Sequence, residues 1–397
     1  MTSDLSRRDF MKTAGVAAAG VAIATKFSPF AYAQNEKVTV GCIGTGGQGS
    51  FHIQTGLMPA KNIHIAAVCD VYKPHQENGW AAAGGEAQGV KKYFDYHEML
   101  EKETLDAVII TTPLYTHHKI AMDCLDAGKH IFLEKTMCFT IEECRDIVKK
   151  CHETGKICQV GHQRRYNPQY NKAMWIARDT DVIGRINYMQ AQWHRNHDWR
   201  RPVPKDYVLS DIEKQYIKDL ERHLNWRLYK DSSGGLMTEL ATHQLDITNW
   251  FLGAVPKRVS AYGGLDYWRD GRDVFDNIVL IYDYEVDQST PGYTAIQRRT
   301  DYQKTAQINR PYNVRMVYSS TCSNARMGAT ECIMGDRASF EMTEHVDQCF
   351  VFGEPAVKAE EEARKKKAAE QKAQAEGQSA EELANAITGG KSLGLSN

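Results

Sequence analysis

Two groups of residues in this chain are equipped to move a proton: a lysine set straight after a short apolar run, Glu134-Lys135-Thr136, and a histidine among carboxylates, Glu239, His243 and Asp246. An ammonium such as Lys135 can hydrogen-bond a substrate hydroxyl and stabilise developing alkoxide charge. An imidazole such as His243 can take the hydroxyl proton near neutral pH. On a helix opened by Gly234-Gly235, residues Glu239, His243, Asp246 and Trp250 fall on one face, while Leu240, Ile247 and Phe251 form a separate buried stripe. Glu239 or Asp246 would then orient the imidazole or raise its basicity. The same trio could ligate a metal, but no further His or Cys lies near it in sequence, so no metal is expected.

A second constellation binds rather than reacts. Gly44-Thr45-Gly46-Gly47-Gln48-Gly49 follows the apolar run Val38-Thr39-Val40-Gly41-Cys42-Ile43 and opens a helix, and Asp70 ends the next apolar run. That is the full dinucleotide fingerprint, with the acid about 20 residues beyond the glycines. Gly44 permits the tight turn, Gly46 and the neighbouring Gly47 and Gln48 let backbone approach a pyrophosphate, and Gly49 lets helix and strand pack closely. Asp70 would accept hydrogen bonds from ribose hydroxyls and repel a 2′-phosphate. NAD is therefore favoured over NADP, with Lys73 nearby softening the preference.

The elements that must carry these residues can be read from periodicity. Continuous apolar runs at 38–43, 63–69, 107–111 and 130–133 alternate with helical stretches such as 116–127 and 141–154, as in a parallel sheet covered on both faces. In such sheets ligands bind beyond the carboxyl ends of the strands, where Lys135 stands. After about Gln163 longer Tyr-, Val- and Ile-rich strands alternate more clearly (186–193, 258–262, 277–284, 314–319, 338–342), as an antiparallel sheet with one open face requires. We divide the chain into a presequence (1–33), a nucleotide-binding domain (36–160), an α+β domain (161–355) and a charged, low-complexity tail (356–397). The tail is expected to be partly helical and largely disordered.

The presequence has the form of a twin-arginine export signal: Ser6-Arg7-Arg8-Asp9-Phe10-Met11-Lys12, an apolar stretch too short to span a bilayer, and Ala31-Tyr32-Ala33 as the cleavage site. The mature chain is thus expected to be soluble, exported and periplasmic, without membrane insertion. Lys plus Arg (49) balances Asp plus Glu (50), and no basic stripe exists, so nucleic acid is not an expected partner. The ten cysteines occur singly with no CxxC pair, which argues against a disulfide framework.

Gly44-x-Gly46-x-x-Gly49, Thr112-Pro113 followed by His117, Glu134-Lys135, and the glycine-rich segment leading to His243 occur in one order and spacing. In these the chain resembles the glucose–fructose oxidoreductase/inositol dehydrogenase (Gfo/Idh/MocA) family from about Lys37 to Glu354. The resemblance implies an α/β protein: an N-terminal Rossmann domain, parallel and doubly wound, then an α+β domain with a mostly antiparallel, open-faced sheet that mediates homo-oligomerisation. It also implies that Thr112, Pro113, His117, Glu134 and Lys135 attend the cofactor, and that Lys135 and His243 act on a sugar or cyclitol. Two departures stand out. The family's Glu-Lys-Pro is Glu-Lys-Thr here, and its aspartate four residues before the histidine is Glu239.

Candidate substrate contacts are Arg164, Arg165 and Tyr166, Trp193 within Trp193-His194-Arg195-Asn196-His197-Asp198-Trp199-Arg200, and Trp226 within Asn225-Trp226-Arg227, together with His243. Indole faces and forked polar groups suit a polyhydroxylated ring. The leading expectation is an exported NAD-dependent oxidoreductase of a sugar, glycoside or cyclitol that keeps its nucleotide tightly bound. A redox-neutral glycosidase or lyase working through transient oxidation is the second. A nucleotide-retaining binding protein without turnover, prompted by Thr136 and Glu239, is the third.

Overall fold

A computed structural model describes residues 37–180, 182–287, 311–343 and 348–375. The export signal, and the tail beyond 375, lie outside them. Val38–Ile43 (β1), Ile63–Cys69 (β2), Lys91–Tyr93 (β3), Ala107–Ile110 (β4), His130–Leu133 (β5) and Cys158–Val160 (β6) form a six-stranded sheet in the order β3-β2-β1-β4-β5-β6. Every pair in it is parallel. The order reverses beside β1, and the crevice this creates lies at the strands' carboxyl ends.

The runs form strands because both faces are covered. Val40 and Cys42 point into one layer with Ile53, Ile65 and Val68. Ile43 points into the other, with Ile110, Leu133, and Ile120, Cys124 and Leu125 of the helix His117–Asp126. The helix Ile141–Thr154 is fixed at its start by a capping box, the Thr140 hydroxyl accepting from Glu143 N–H while the Glu143 carboxylate accepts from Thr140 N–H.

The second sheet has seven strands: Ile186–Asn196 (β7), Pro256–Gly264 (β8), Asn277–Val286 (β9), Tyr312–Thr321 (β10), Ser323–Gly335 (β11), Ala338–Met342 (β12) and Phe350–Gly353 (β13). Their order is β13-β12-β11-β7-β10-β9-β8, antiparallel except for the parallel β7–β10 pair. Along β9 burial alternates strictly, with Ile278, Leu280, Tyr282 and Tyr284 inward and Val279 and Ile281 outward. The inward face packs on the helices Pro168–Asp179 and Thr242–Leu252 through Tyr170, Met174, Leu240, Ile247 and Phe251. The outward face is uncovered by the described residues. Pro355–Ala375 forms a helix, so the first half of the charged tail is helical. All ten cysteines are free thiols. No helix of the described residues is long and apolar enough to cross a membrane.

Candidate active site

A cavity of about 680 Å³ opens at the carboxyl ends of β1, β2 and β4. Gly44, Gly46, Gly47, Gln48, Asp70, Thr112 and Pro113, all expected there, line it. Gly44 has φ +85°, and its N–H donates to the Cys69 carbonyl at 2.8 Å, so the turn locks onto the end of β2. A Cβ at Gly49 would stand 2.1 Å from the Gly44 carbonyl oxygen, which is the close helix–strand approach that only glycine allows. Gly49 supports the turn from behind without lining the cavity. The turn, the uncluttered backbone after it and the acid beyond β2 fit a dinucleotide.

Asp70 is buried and accepts from Thr45 N–H at 2.8 Å and Tyr72 N–H at 2.9 Å. Burial outweighs these bonds and raises its pKa from 3.8 to about 6. The His75 Nδ1 lies 3.8 Å from its carboxylate. Yet burial, and then the Arg201 charge, push His75 down to about 4, so the imidazole is neutral at pH 7 and the contact is no ion pair.

The cavity's second wall comes from the α+β domain, and of it sequence reasoning picked out only Trp226. Arg201, Tyr216, His223, Leu224, Trp226 and Arg227 face the glycine turn across the opening. This segment is tied to the first domain by Glu213, which accepts from Lys73 N–H at 2.9 Å, and by Tyr207, whose ring meets Tyr72 at 5.1 Å. Asn225 clamps the Arg201 backbone, its Oδ1 accepting from Arg201 N–H at 2.6 Å and its Nδ2 donating to Arg201 O at 3.1 Å. The Arg201 guanidinium is thereby held beside Gly47. Only the density of Trp, Arg and Asn in 193–227 hinted at such a wall.

His117 departs from expectation. It is 2% exposed and does not line the cavity. Its Nε2 lies 3.0 Å from Thr112 O and its Nδ1 3.0 Å from Thr136 O, so it ties the cofactor loop to the lysine turn. Glu134 is likewise a support. It accepts from His52 Nε2 at 2.7 Å, Gln48 Nε2 at 3.3 Å and Lys135 N–H at 2.9 Å. Burial would raise its pKa, but the His52 bond and the charges of His52 and Lys135 prevail and lower it. His52 carried no signal in the sequence.

Beyond β5, the Lys135–Thr136 peptide is cis. The Thr136 hydroxyl donates to Thr238 O at 2.6 Å, a bond that proline could not make. Lys135 Nζ donates to Glu239 O at 2.9 Å and lies 3.9 Å from Glu239 Oε2. Burial, then the Arg227 and Arg195 charges working against Glu239, lower the Lys135 pKa. Residues Met237–Ala241 form a π-turn before the α-helix Thr242–Leu252; such turns are frequent at functional sites.

The expected carboxylate–imidazole support for His243 is absent. Glu239 is committed to Arg227 Nε at 2.9 Å and to Lys135. Asp246 is committed to Arg165, accepting at 2.8 and 2.9 Å from Nε and Nη2. The buried His243 Nδ1 has no hydrogen-bond partner among the described residues. Burial, then the charges of Lys135, Arg164 and His162, hold the His243 pKa far below its usual value, so the ring is neutral. It packs at 5.2 Å from the Trp193 ring and 6.1 Å from His162.

The expected substrate residues divide. Trp226 lines the cavity, whereas Trp193 does not line it and packs against His243. Arg164 is 1% exposed and ion-paired with the equally buried Glu331 at 2.7 Å, so it cannot reach a substrate. Arg165 is held by Asp246 and lies over Trp250. Tyr166 is 65% exposed and outside the cavity. No group of three His, Cys, Asp or Glu among the described residues is placed to hold a metal ion.

The Gfo/Idh/MocA model for an oxidoreductase family with an NAD-binding Rossmann fold matches residues 38–162, and that for the family's C-terminal α/β domain matches 179–396. The model for a twin-arginine translocation pathway signal matches 4–24. The chain is 29% identical over 228 residues to scyllo-inositol 2-dehydrogenase (NAD(+)) of Bacillus subtilis (strain 168), covering 57% of each chain. It is 29% identical over 216 residues to inositol 2-dehydrogenase/D-chiro-inositol 3-dehydrogenase of Lactiplantibacillus plantarum, covering 54% of this chain and 52% of that one. The matched stretch thus spans just over half the length of these curated relatives. In fold the chain is similar to the WlbA dehydrogenase of Bordetella pertussis solved with NADH and UDP-GlcNAcA, with TM-score 0.59, 20% identity, and coverage of 81% and 84%.

Proposed function

The chain belongs to the Gfo/Idh/MocA oxidoreductases, and from that premise we propose that it is an exported enzyme oxidising a hydroxyl of a sugar, glycoside or cyclitol with NAD. The observation that carries this reading is the linkage of Lys135 through Glu239 to Arg227, which lines the cavity together with the glycine turn and Asp70, with the Lys135 charge bearing on His243. When bound, NAD supplies the hydride acceptor. Gly44, Gly46, Gly47, Asp70, Thr112 and Arg201 would hold it.

His243 then takes the hydroxyl proton and Lys135 polarises the oxygen. A neutral imidazole is in the form that accepts a proton, but its burial next to Lys135 makes it a weak base. The proton therefore moves as Lys135 stabilises the alkoxide, not before. Glu239 acts on Lys135 and Arg227 rather than on the imidazole, holding the ammonium charged and in place. Trp193 and Trp226 shape the substrate side.

A second reading keeps the site and changes the outcome. Twin-arginine export carries the folded protein away from the cytoplasmic NAD pool, and the Arg201–Arg227 wall encloses the cavity. Transient oxidation beside a glycosidic carbon, elimination and re-reduction would need no recycling partner. In either reading the protein works in the periplasm with its nucleotide retained. The open sheet face, where Tyr262, Val279 and Ile281 are exposed, suits a second copy of the chain.

The test is to release and identify the small molecules held by the purified mature protein, then supply candidate glycosides and analyse products. Retained NAD with an oxidised sugar supports net oxidation. Glycoside cleavage without accumulated NADH supports the redox-neutral route. A nucleotide-free protein that binds NAD only weakly counts against both.

A further inference from the structure

Many of the described arginines near the second sheet are paired with carboxylates. Arg164 is paired with Glu331, Arg165 with Asp246, Arg200 and Arg272 with Asp270, and Arg227 with Glu239. Arg195, which lies over the Trp193 and Trp199 rings, is not. It projects from the end of β7 and is partly buried; among the described residues its side chain has no hydrogen-bond or ion-pair partner, and its Nε is fully buried without an acceptor. Leaving such donors unsatisfied is costly unless something else occupies them.

Its position points to what that is. The guanidinium lies 4.4 Å from the Trp199 ring and 5.7 Å from the Trp193 ring, while His243 approaches the same Trp193 ring at 5.2 Å. Arg195 and His243 thus flank one indole. The Arg195, Arg227 and Lys135 charges also bear on one another, so they occupy one region. Against these three cations stand two carboxylates, Glu239, already shared between Arg227 and Lys135, and Glu134, already bonded to His52 and Gln48. Arg201 is set apart beside Gly47, where a dinucleotide's phosphates would neutralise it. The substrate side is left with a surplus of positive charge and one free guanidinium fork.

We propose that the substrate carries a carboxylate, as a uronic acid or its glycoside does, and that Arg195 receives it while the reacting hydroxyl lies at His243 and Lys135. The planar fork matches a carboxylate in two parallel N–H···O bonds, which no hydroxyl can reproduce. The bound anion also offsets the repulsion among Arg195, Arg227 and Lys135, and so helps Lys135 stay an ammonium. This inference rests on the sugar-oxidoreductase reading above and narrows it.

The experiment uses the mature protein loaded with NAD. D-glucuronate, D-galacturonate and their methyl glycosides are compared with the corresponding neutral sugars, by nicotinamide reduction and, independently, by calorimetric binding. The expected result is uronate binding about 10- to 100-fold tighter than the neutral counterpart. Arg195→Gln should abolish that preference by weakening uronate binding alone, and Arg195→Lys, which keeps charge without the fork, should fall between. Retained nucleotide content shows that the variants are folded. Neutral sugars bound and oxidised as well as uronates, or uronate binding unmoved in Arg195→Gln, would overturn the inference and leave the oxidoreductase reading intact. Failure of every sugar, charged or neutral, would overturn both.

Discussion

Replacing Asp70 with asparagine separates its two tasks, holding a turn and receiving a ribose. The wild-type carboxylate is 8% exposed and has two backbone N–H donors; His75 is neutral above about pH 4, and the His223 charge lowers the Asp70 pKa without offsetting its burial. A carboxyl that titrates near 6 in place of 3.8 corresponds to about 3 kcal/mol. The sign follows from the raised value: the folded chain holds the proton more tightly than the unfolded one. The resulting stabilisation is complete below pH 3.8 and is lost as pH rises through about 6. Asparagine has one side-chain acceptor atom in place of two, so the Thr45 or Tyr72 N–H loses its partner at every pH, at about 1–3 kcal/mol. Nucleotide-free Asp70→Asn should therefore be less stable than wild type at about pH 4.5, and the gap should close or reverse by about pH 7.5.

Binding supplies the second half of that test. Ribose hydroxyls donate to the ionised carboxylate, so protons compete with NAD, and wild-type affinity should fall about tenfold at one pH unit below the Asp70 pKa. The variant should lack this dependence and discriminate less against NADP. Denaturant melts across the pH range and calorimetric titration with each nucleotide measure both effects. Parallel stability profiles for the two proteins would refute the assignment of the buried charge.

Other expectations follow from single contacts. His243→Ala should lower turnover by about 10²- to 10⁴-fold with nucleotide content unchanged, measured by sugar turnover and acid-released NAD; unaltered turnover sinks the assigned proton acceptor. Gly49→Ala places a Cβ 2.1 Å from Gly44 O and 2.7 Å from Thr111 Oγ1, and should lose bound nucleotide. Gly47→Ala, whose nearest neighbour would be Arg201 Nη2 at 3.8 Å, should disturb the fold far less, and melting curves of the pair decide. The Cys138 thiol beside Cys144 lowers the Cys144 pKa to about 7, so this half-buried thiol should be alkylated first at neutral pH, as peptide mass mapping would reveal.

How much was legible follows from the range of the interactions. The strands of the first sheet were readable because a run such as Val38–Ile43 is apolar on both faces wherever it lies. β3 and β6 were missed because each is three residues long, too short for a period to register. β11 was missed because Ser323–Gly335 begins with exposed, polar residues and carries a register shift between Asn324 and Ala329. Its strand character is set by pairing with β7.

For the site, the glycine turn, Asp70 and the position of Lys135 were determined by the sequence itself, since each rests on strand-end geometry within a few residues. The partners of the charged side chains were not. Arg164, Arg165 and Arg195 look alike as letters, and only the folded chain brings Glu331 to the first, Asp246 to the second and, among the described residues, no ion-paired acid to the third. Glu239 and His243 have helical spacing, yet the π-turn and Arg227 direct the carboxylate to the lysine. Charge pairing acts through space over a few ångströms, between residues as far apart in the chain as 164 and 331, and no local pattern encodes it.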